Sequence, residues 1–181
     1  ETVERFLTGL PDPASPRIFV FPGTSPAGAH RRWKRGRLTA ALEEIRDRAG
    51  ATLLIGWGPA EEEIARDVAA AVEGAIPIPP TSIKELMILM SRCDAYLGMH
   101  TGPMHLAALV GTPVVAVFGD RSDPRIHAPA DHLESRVIAD PEARELRVWQ
   151  RWGLGPFEGP EPGEVVEATL ETLERGERRA P

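Results

Sequence analysis

The run Pro113-Val114-Val115-Ala116-Val117-Phe118 is apolar without a break and is bounded by Thr112 and Gly119. A short apolar run closed by turn residues suits a strand buried on both faces, which antiparallel sheets open to water rarely contain. Other segments fit around it. Arg17-Ile18-Phe19-Val20-Phe21 and Ala51-Thr52-Leu53-Leu54-Ile55 read as strands, as do a short Ala75-Ile76-Pro77-Ile78 and Asp94-Ala95-Tyr96-Leu97. Between them, apolar residues recur at helical spacing over 37–49, 60–72, 82–90 and 102–110. Strands alternating with helices imply βαβ units and a mainly parallel sheet covered on both sides. The expected fold class is therefore α/β, a doubly wound Rossmann-like sheet. A further strand over 135–139 and a closing helix over 164–174 complete this reading. Residues 1–16, punctuated by Pro11, Pro13 and Pro16, read as a helical and linker segment ahead of one domain over 17–181.

The length of 181 residues, 42% of them hydrophobic, suits a single core. A net charge of −6 gives no general basic surface, so nucleic acid is not an expected partner and any anion must be held by local groups. Cys93 is the one cysteine and reads as a small core residue of a reducing compartment. No apolar run reaches the roughly 20 residues a spanning helix needs, and the start ETVERFLTGL lacks the features of a signal peptide. The expected place is the cytoplasm, the inner face of the membrane included.

In an open parallel sheet, ligands sit beyond the carboxyl ends of the strands, where helix starts present unpaired amides. Three junctions of this kind stand out. In the first, the strand ending at Leu97 runs through Gly98, Met99, His100 and Thr101 into Gly102-Pro103-Met104-His105. Gly102 keeps bulk off the backbone, Pro103 is tolerated in a first helical turn, and Thr101 can cap. A diphosphate fits there, with His105 one turn in as a further donor, and the segment 93–123 is the expected diphosphate end of the domain. A plain capped helix would look similar. The second junction is Pro22-Gly23-Thr24-Ser25 leading to Arg31, Arg32 and Trp33, where a guanidinium can match phosphate oxygens. The third is Gly56-Trp57-Gly58-Pro59-Ala60-Glu61, whose acids either complement a helix dipole or receive ribose hydroxyls. No G-x-G-x-x-G or P-loop pattern occurs, and His100 and His105 lack the H-E-x-x-H arrangement, so neither a dehydrogenase nor a zinc site is expected.

Thr101-Gly102-Pro103-Met104-His105-Leu106-Ala107 resembles the signature of the lipopolysaccharide heptosyltransferases, glycosyltransferase family 9. The likeness extends in order over about 17–129. It takes in the Pro22-Gly23-Thr24-Ser25 to Trp33 loop, the Gly56 to Glu63 turn, Thr81-Ser82-Ile83 and the Gly111-Thr112-Pro113 strand ending in Phe118-Gly119. The resemblance implies the C-terminal half of a two-domain GT-B enzyme that grips a nucleoside-diphosphate sugar, ADP-linked, without a metal or other cofactor. It implies diphosphate contacts from Thr24, Ser25, Arg31, Thr101, Gly102, Pro103 and His105, with Glu61 near the ribose and Thr81 near the base. The catalytic base is expected on an N-terminal domain, a partner this chain has no room for, and so the chain alone is expected to be inactive. The implied reaction is transfer of a heptose-like sugar to a cell-envelope or other glycan acceptor, as in lipopolysaccharide biosynthesis.

One position departs from the pattern. His100 stands where the family has Asp, facing the donor sugar, and an imidazole offers one donor and one acceptor where a carboxylate only accepts. The alternative expectation is thus a non-catalytic nucleotide or nucleotide-sugar binding domain with a degenerate site.

Overall fold

The computed structural model describes residues 2–25, 28–29, 32–118, 127–129, 135–139 and 159–177. Arg31, the Trp149 to Trp152 stretch and the acids Asp120 and Asp123 lie outside the described residues. The elements run α1 (Thr2–Thr8), β1 (Arg17–Phe21), α2 (Arg35–Ala49), β2 (Thr52–Ile55), α3 (Glu62–Ala71), β3 (Ile76–Pro77), α4 (Ile83–Met90), β4 (Ala95–Met99), α5 (Gly102–Leu109), β5 (Val114–Phe118), β6 (Arg136–Ala139) and α6 (Pro162–Glu177). All pairings among the six strands are parallel, in the order β3-β2-β1-β4-β5-β6. The fold is the doubly wound α/β sheet that the alternation predicts.

Period-two alternation along each strand divides the core into two layers. Ile18, Val20, Leu53, Ile55, Ala95, Leu97, Met99, Val115 and Val117 face a cluster that includes Leu38, Leu42 and Ile45 of α2, Val68 of α3 and Val165 and Val166 of α6. Phe19, Phe21, Leu54, Tyr96, Val114, Ala116 and Phe118 face the opposite cluster, with Leu86, Leu89 and Met90 of α4 and Met104 and Ala107 of α5. Val3, Leu7 and Leu10 are buried in this second cluster, so α1 packs on the domain. Cys93 is buried there too, its thiol donating to the Leu89 carbonyl at 3.3 Å, and burial pushes its pKa up to about 12. Gly50 ends α2 in the left-handed region at φ 60°, and its amide donates to Arg46 O at 2.8 Å, as expected of a C-terminal glycine.

Two boundaries differ from expectation for physical reasons. β4 continues past Leu97 through Gly98 and Met99, because Gly98 pairs with Phe21 and with Ala116 on either side of the strand. α3 starts at Glu62 and not at Ala60, since the Glu61 amide turns back to Gly58 O at 2.9 Å. Among the described residues, no helix is long and apolar enough to cross a membrane.

Candidate functional site

Chain order reverses between β1 and β4. β1 leads to β2 on one side, while β4 leads to β5 and β6 on the other. The crevice outside the carboxyl ends of two such strands is where open α/β sheets take ligands. A cleft of about 410 Å³ lies there, lined by Phe21, Thr24, Ser25, Gly58, Glu61, His100, Thr101, Gly102, Pro103 and His105. The three junctions picked out along the sequence therefore meet in one place.

The loop after β1 is organised by Arg32. Its Nε donates to Thr24 Oγ1 and its Nη2 to Thr24 O, both at 3.0 Å. Thr24 is almost fully buried and its hydroxyl donates in turn to Ser25 O at 3.3 Å. Thr24, which lines the cleft, thus fastens the loop from within by its bonds to the Arg32 guanidinium. The cation that the structure describes beside Thr24 is Arg32.

From the β2 side, Glu61 is held in the cleft by two glycines. A Cβ on Gly23 would lie 2.6 Å from Glu61 Cγ, and one on Gly58 would lie 2.5 Å from Glu61 Oε2. The acids at this helix start divide between two tasks. Glu62 and Glu63 occupy the first turn of α3, where negative charge complements the dipole, and Glu62 pairs with Arg66. Glu61 lines the cleft. Trp57, just before, donates from Nε1 to Ile78 O at 2.9 Å and ties the turn to the end of β3.

From the β4 side, Thr101 precedes α5 in an extended conformation, φ −147° and ψ 170°. The sequence suggests a cap, but the Thr101 side chain makes no capping bond, and its Oγ1 donates to Met99 O at 3.3 Å. The helix start, with Gly102 and with Pro103 in the first turn, thus faces the cleft without side-chain closure. His100 packs as the middle of an aromatic stack. Its ring lies 4.7 Å from Phe118 at 10°, 4.8 Å from His127 at 34° and 6.1 Å from His105 in an edge contact. His127 comes from beyond β5, and no local pattern marks it in the sequence. Among the described residues, no group of three His, Cys, Asp or Glu side chains is placed to hold a metal ion.

Thr81 is not among the lining residues. It precedes a capping box in which Ser82 Oγ accepts from Glu85 N at 3.3 Å and Glu85 Oε2 accepts from Ser82 N at 2.9 Å. The Ser82 amide and hydroxyl hold the Glu85 carboxyl below its usual pKa. Ser82→Ala is expected to cost about 1 kcal/mol at neutral pH, read by urea denaturation. A carboxylate with a depressed folded pKa contributes above its unfolded pKa and loses that contribution as pH falls through the folded value. The gap between wild type and variant should therefore narrow on acidification below the ordinary carboxylate range.

The model of glycosyltransferase family 9 (heptosyltransferase) matches residues 6–148. The chain belongs to glycosyltransferase family 9. Among family relatives, lipopolysaccharide heptosyltransferase 1 of Pseudomonas aeruginosa is 29% identical over 109 residues, 60% of this chain and 30% of that protein. Two solved structures share the fold. Escherichia coli ADP-heptose lipopolysaccharide heptosyltransferase II superposes with a TM-score of 0.77 at 23% identity, over 97% of this chain and 51% of that one. A family 9 glycosyl transferase from Veillonella parvula gives 0.79 at 22% identity, over 96% and 50%. The chain thus spans about half the length of these solved family 9 proteins. The match confirms the family that the Thr101 to Ala107 signature suggests.

Proposed function

We propose that this family 9 chain is the donor-binding half of a glycosyltransferase, which takes a heptose-like sugar from a nucleoside-diphosphate sugar to a cell-envelope or other glycan acceptor. The observation that carries the reading is the convergence of the three junctions on one cleft at the switch point, with an open helix start on the β4 side and the Arg32 guanidinium bonded to the lining residue Thr24 on the β1 side. Departure of a nucleoside diphosphate concentrates negative charge on the leaving group, and preorganised amide and guanidinium donors stabilise it in the transition state. Such a site calls for no metal. Glu61, an acceptor at the β2 side of the cleft, suits ribose hydroxyls and opposes a phosphate, which orients the nucleoside toward β2 and the sugar toward His100. The acceptor and the catalytic base belong, in this proposal, to an N-terminal GT-B domain. ADP is the first nucleotide to test, because the similar Escherichia coli protein is described as an ADP-heptose enzyme.

Calorimetric titration of the chain with ADP, UDP, their sugars and pyrophosphate tests the reading. Heat is expected with at least one nucleoside diphosphate, and Glu61→Ala should weaken that nucleotide while leaving pyrophosphate bound at least as tightly as before, since the carboxylate only repels it. Silence across all of them would reject donor binding. The packing of His100 between Phe118 and His127 favours a second reading, a nucleotide-sugar binder without turnover. A protein that binds the nucleotide sugar with both halves present, yet releases no nucleoside diphosphate in any acceptor extract, would establish it.

A further inference from the structure

Tyr96 is the single tyrosine of the chain and lies in the middle of β4, fully buried, its ring stacked on Phe19 at 6.1 Å and 11°. Its hydroxyl is also buried and makes no hydrogen bond among the described residues. An unpaired hydroxyl in a core is a net cost to stability, a penalty that phenylalanine in the same place would avoid. The position of that oxygen is informative. Residues two apart share a sheet face, so Tyr96 lies beneath Gly98, and a Cβ on Gly98 would fall 2.5 Å from the hydroxyl oxygen and 3.0 Å from Phe21 O. Phe21 lines the cleft, as do His100 and Thr101 just beyond Gly98. The glycine therefore makes room for a hydroxyl directly under the cleft floor.

Thr101 is the polar group above it. Its hydroxyl neither caps α5 nor makes a short bond, and its one hydrogen bond is the 3.3 Å contact to Met99 O. Burial raises the Tyr96 pKa and keeps the phenol a proton donor, while the neighbouring Thr101 side chain acts in the opposite direction, near the phenol but without the geometry of a full hydrogen bond. Two hydroxyls, one unpaired and one loosely held, thus sit in series between the core and the helix start.

We propose that Tyr96 is a positioning residue for the anion site, completing a relay when a diphosphate binds. The Tyr96 O–H donates to Thr101 Oγ1, and the Thr101 O–H leaves Met99 O and donates to a phosphate oxygen. The first bond settles which way the second points, and hydrogen bonds in series polarise one another. This rests on the reading that the cleft holds a nucleoside diphosphate.

The test uses the whole chain, ADP and UDP by calorimetry, and tyrosine labelled with carbon-13 at Cζ, which gives one resonance because there is one tyrosine. Tyr96→Phe is expected to weaken the bound nucleotide about fivefold, the worth of one neutral hydrogen bond. Its melting midpoint without ligand should stay level or rise, because the hydroxyl lost there was unpaired. In a Thr101→Val background the Tyr96→Phe change should cost nothing more, and in wild type the Cζ resonance should move at saturation. Nucleotide binding with equal affinity in Tyr96→Phe, independent effects of the two substitutions or an unmoved Cζ resonance would overturn the relay and leave the cleft's function standing. A clear fall in the ligand-free midpoint of Tyr96→Phe would show a structural hydroxyl and overturn it as well. Absence of heat from wild type with both nucleotides would remove the site reading, and the relay with it.

Discussion

Gly56→Ala is expected to destabilise the domain by about 3 kcal/mol, at the upper end of the range for overpacked cores. In a chain of this size that lowers the melting midpoint by roughly 6–12 °C. A Cβ at Gly56 would lie 2.3 Å from Phe19 Cζ, 2.5 Å from Phe19 Cε1 and 3.2 Å from Phe21 Cδ2. The Phe19 ring cannot retreat easily, since it is fully buried and stacked on Tyr96. Nor can Gly56 move away, because its amide donates to Val20 O at 2.7 Å and fixes the turn to β1. Gly36→Ala serves as the control. Gly36 lies within α2 with open space where its Cβ would go, and there alanine is expected to stabilise by up to about 1 kcal/mol. Equal midpoints for wild type and Gly56→Ala would mean that Phe19 repacks at no cost.

Arg32→Ala is expected to weaken nucleoside diphosphate binding roughly 10- to 100-fold, since hydrogen bonds from a charged donor are worth about 1.5–3 kcal/mol. The guanidinium bridges the hydroxyl and the carbonyl of Thr24 and so holds the loop that carries Thr24 and Ser25 into the cleft. Removing it takes away both that clamp and a positive charge near the anion. Lysine restores the charge but not the fork, so Arg32→Lys should recover only part of the loss. Calorimetry with ADP or UDP reads both variants, and full affinity in Arg32→Ala would place the anion elsewhere. The ligand-free midpoint separates a loosened loop from an unfolded domain.

The parallel fold was legible because β5 and its neighbours are apolar on both faces, a pattern few other architectures tolerate. The signature around Gly102 was legible for a similar reason, since a glycine and a proline at a helix start need a particular backbone. Other features needed coordinates. Gly98 looks like a strand terminator in the sequence, yet it continues β4 by pairing on both sides, and it is glycine because a neighbouring phenol occupies the space a side chain would fill. Arg31 and Arg32 are adjacent and chemically alike, so no pattern in the sequence singles out the bonds of Arg32 to Thr24. Thr81 belongs to a helix-start motif that Ser82 and Glu85 complete between themselves, away from the cleft lining. His127 packs against His100 from a position beyond β5 in the sequence, a contact that local residue types do not encode. A helical start within 1–16 was legible, but not that α1 would bury Val3 and Leu7 against the layer of α4.

β3 has a further effect on how the molecule behaves in company. It is two residues long and lies at the edge of the sheet. Ile78, just after it, turns its amide inward to Ile55 O at 3.0 Å, and amides alternate along a strand, so the outward position falls on Pro77. Proline has no hydrogen to offer there. An incoming strand from another molecule finds no backbone donor at the place where pairing would begin, so addition of a strand at the β3 edge is disfavoured at that residue.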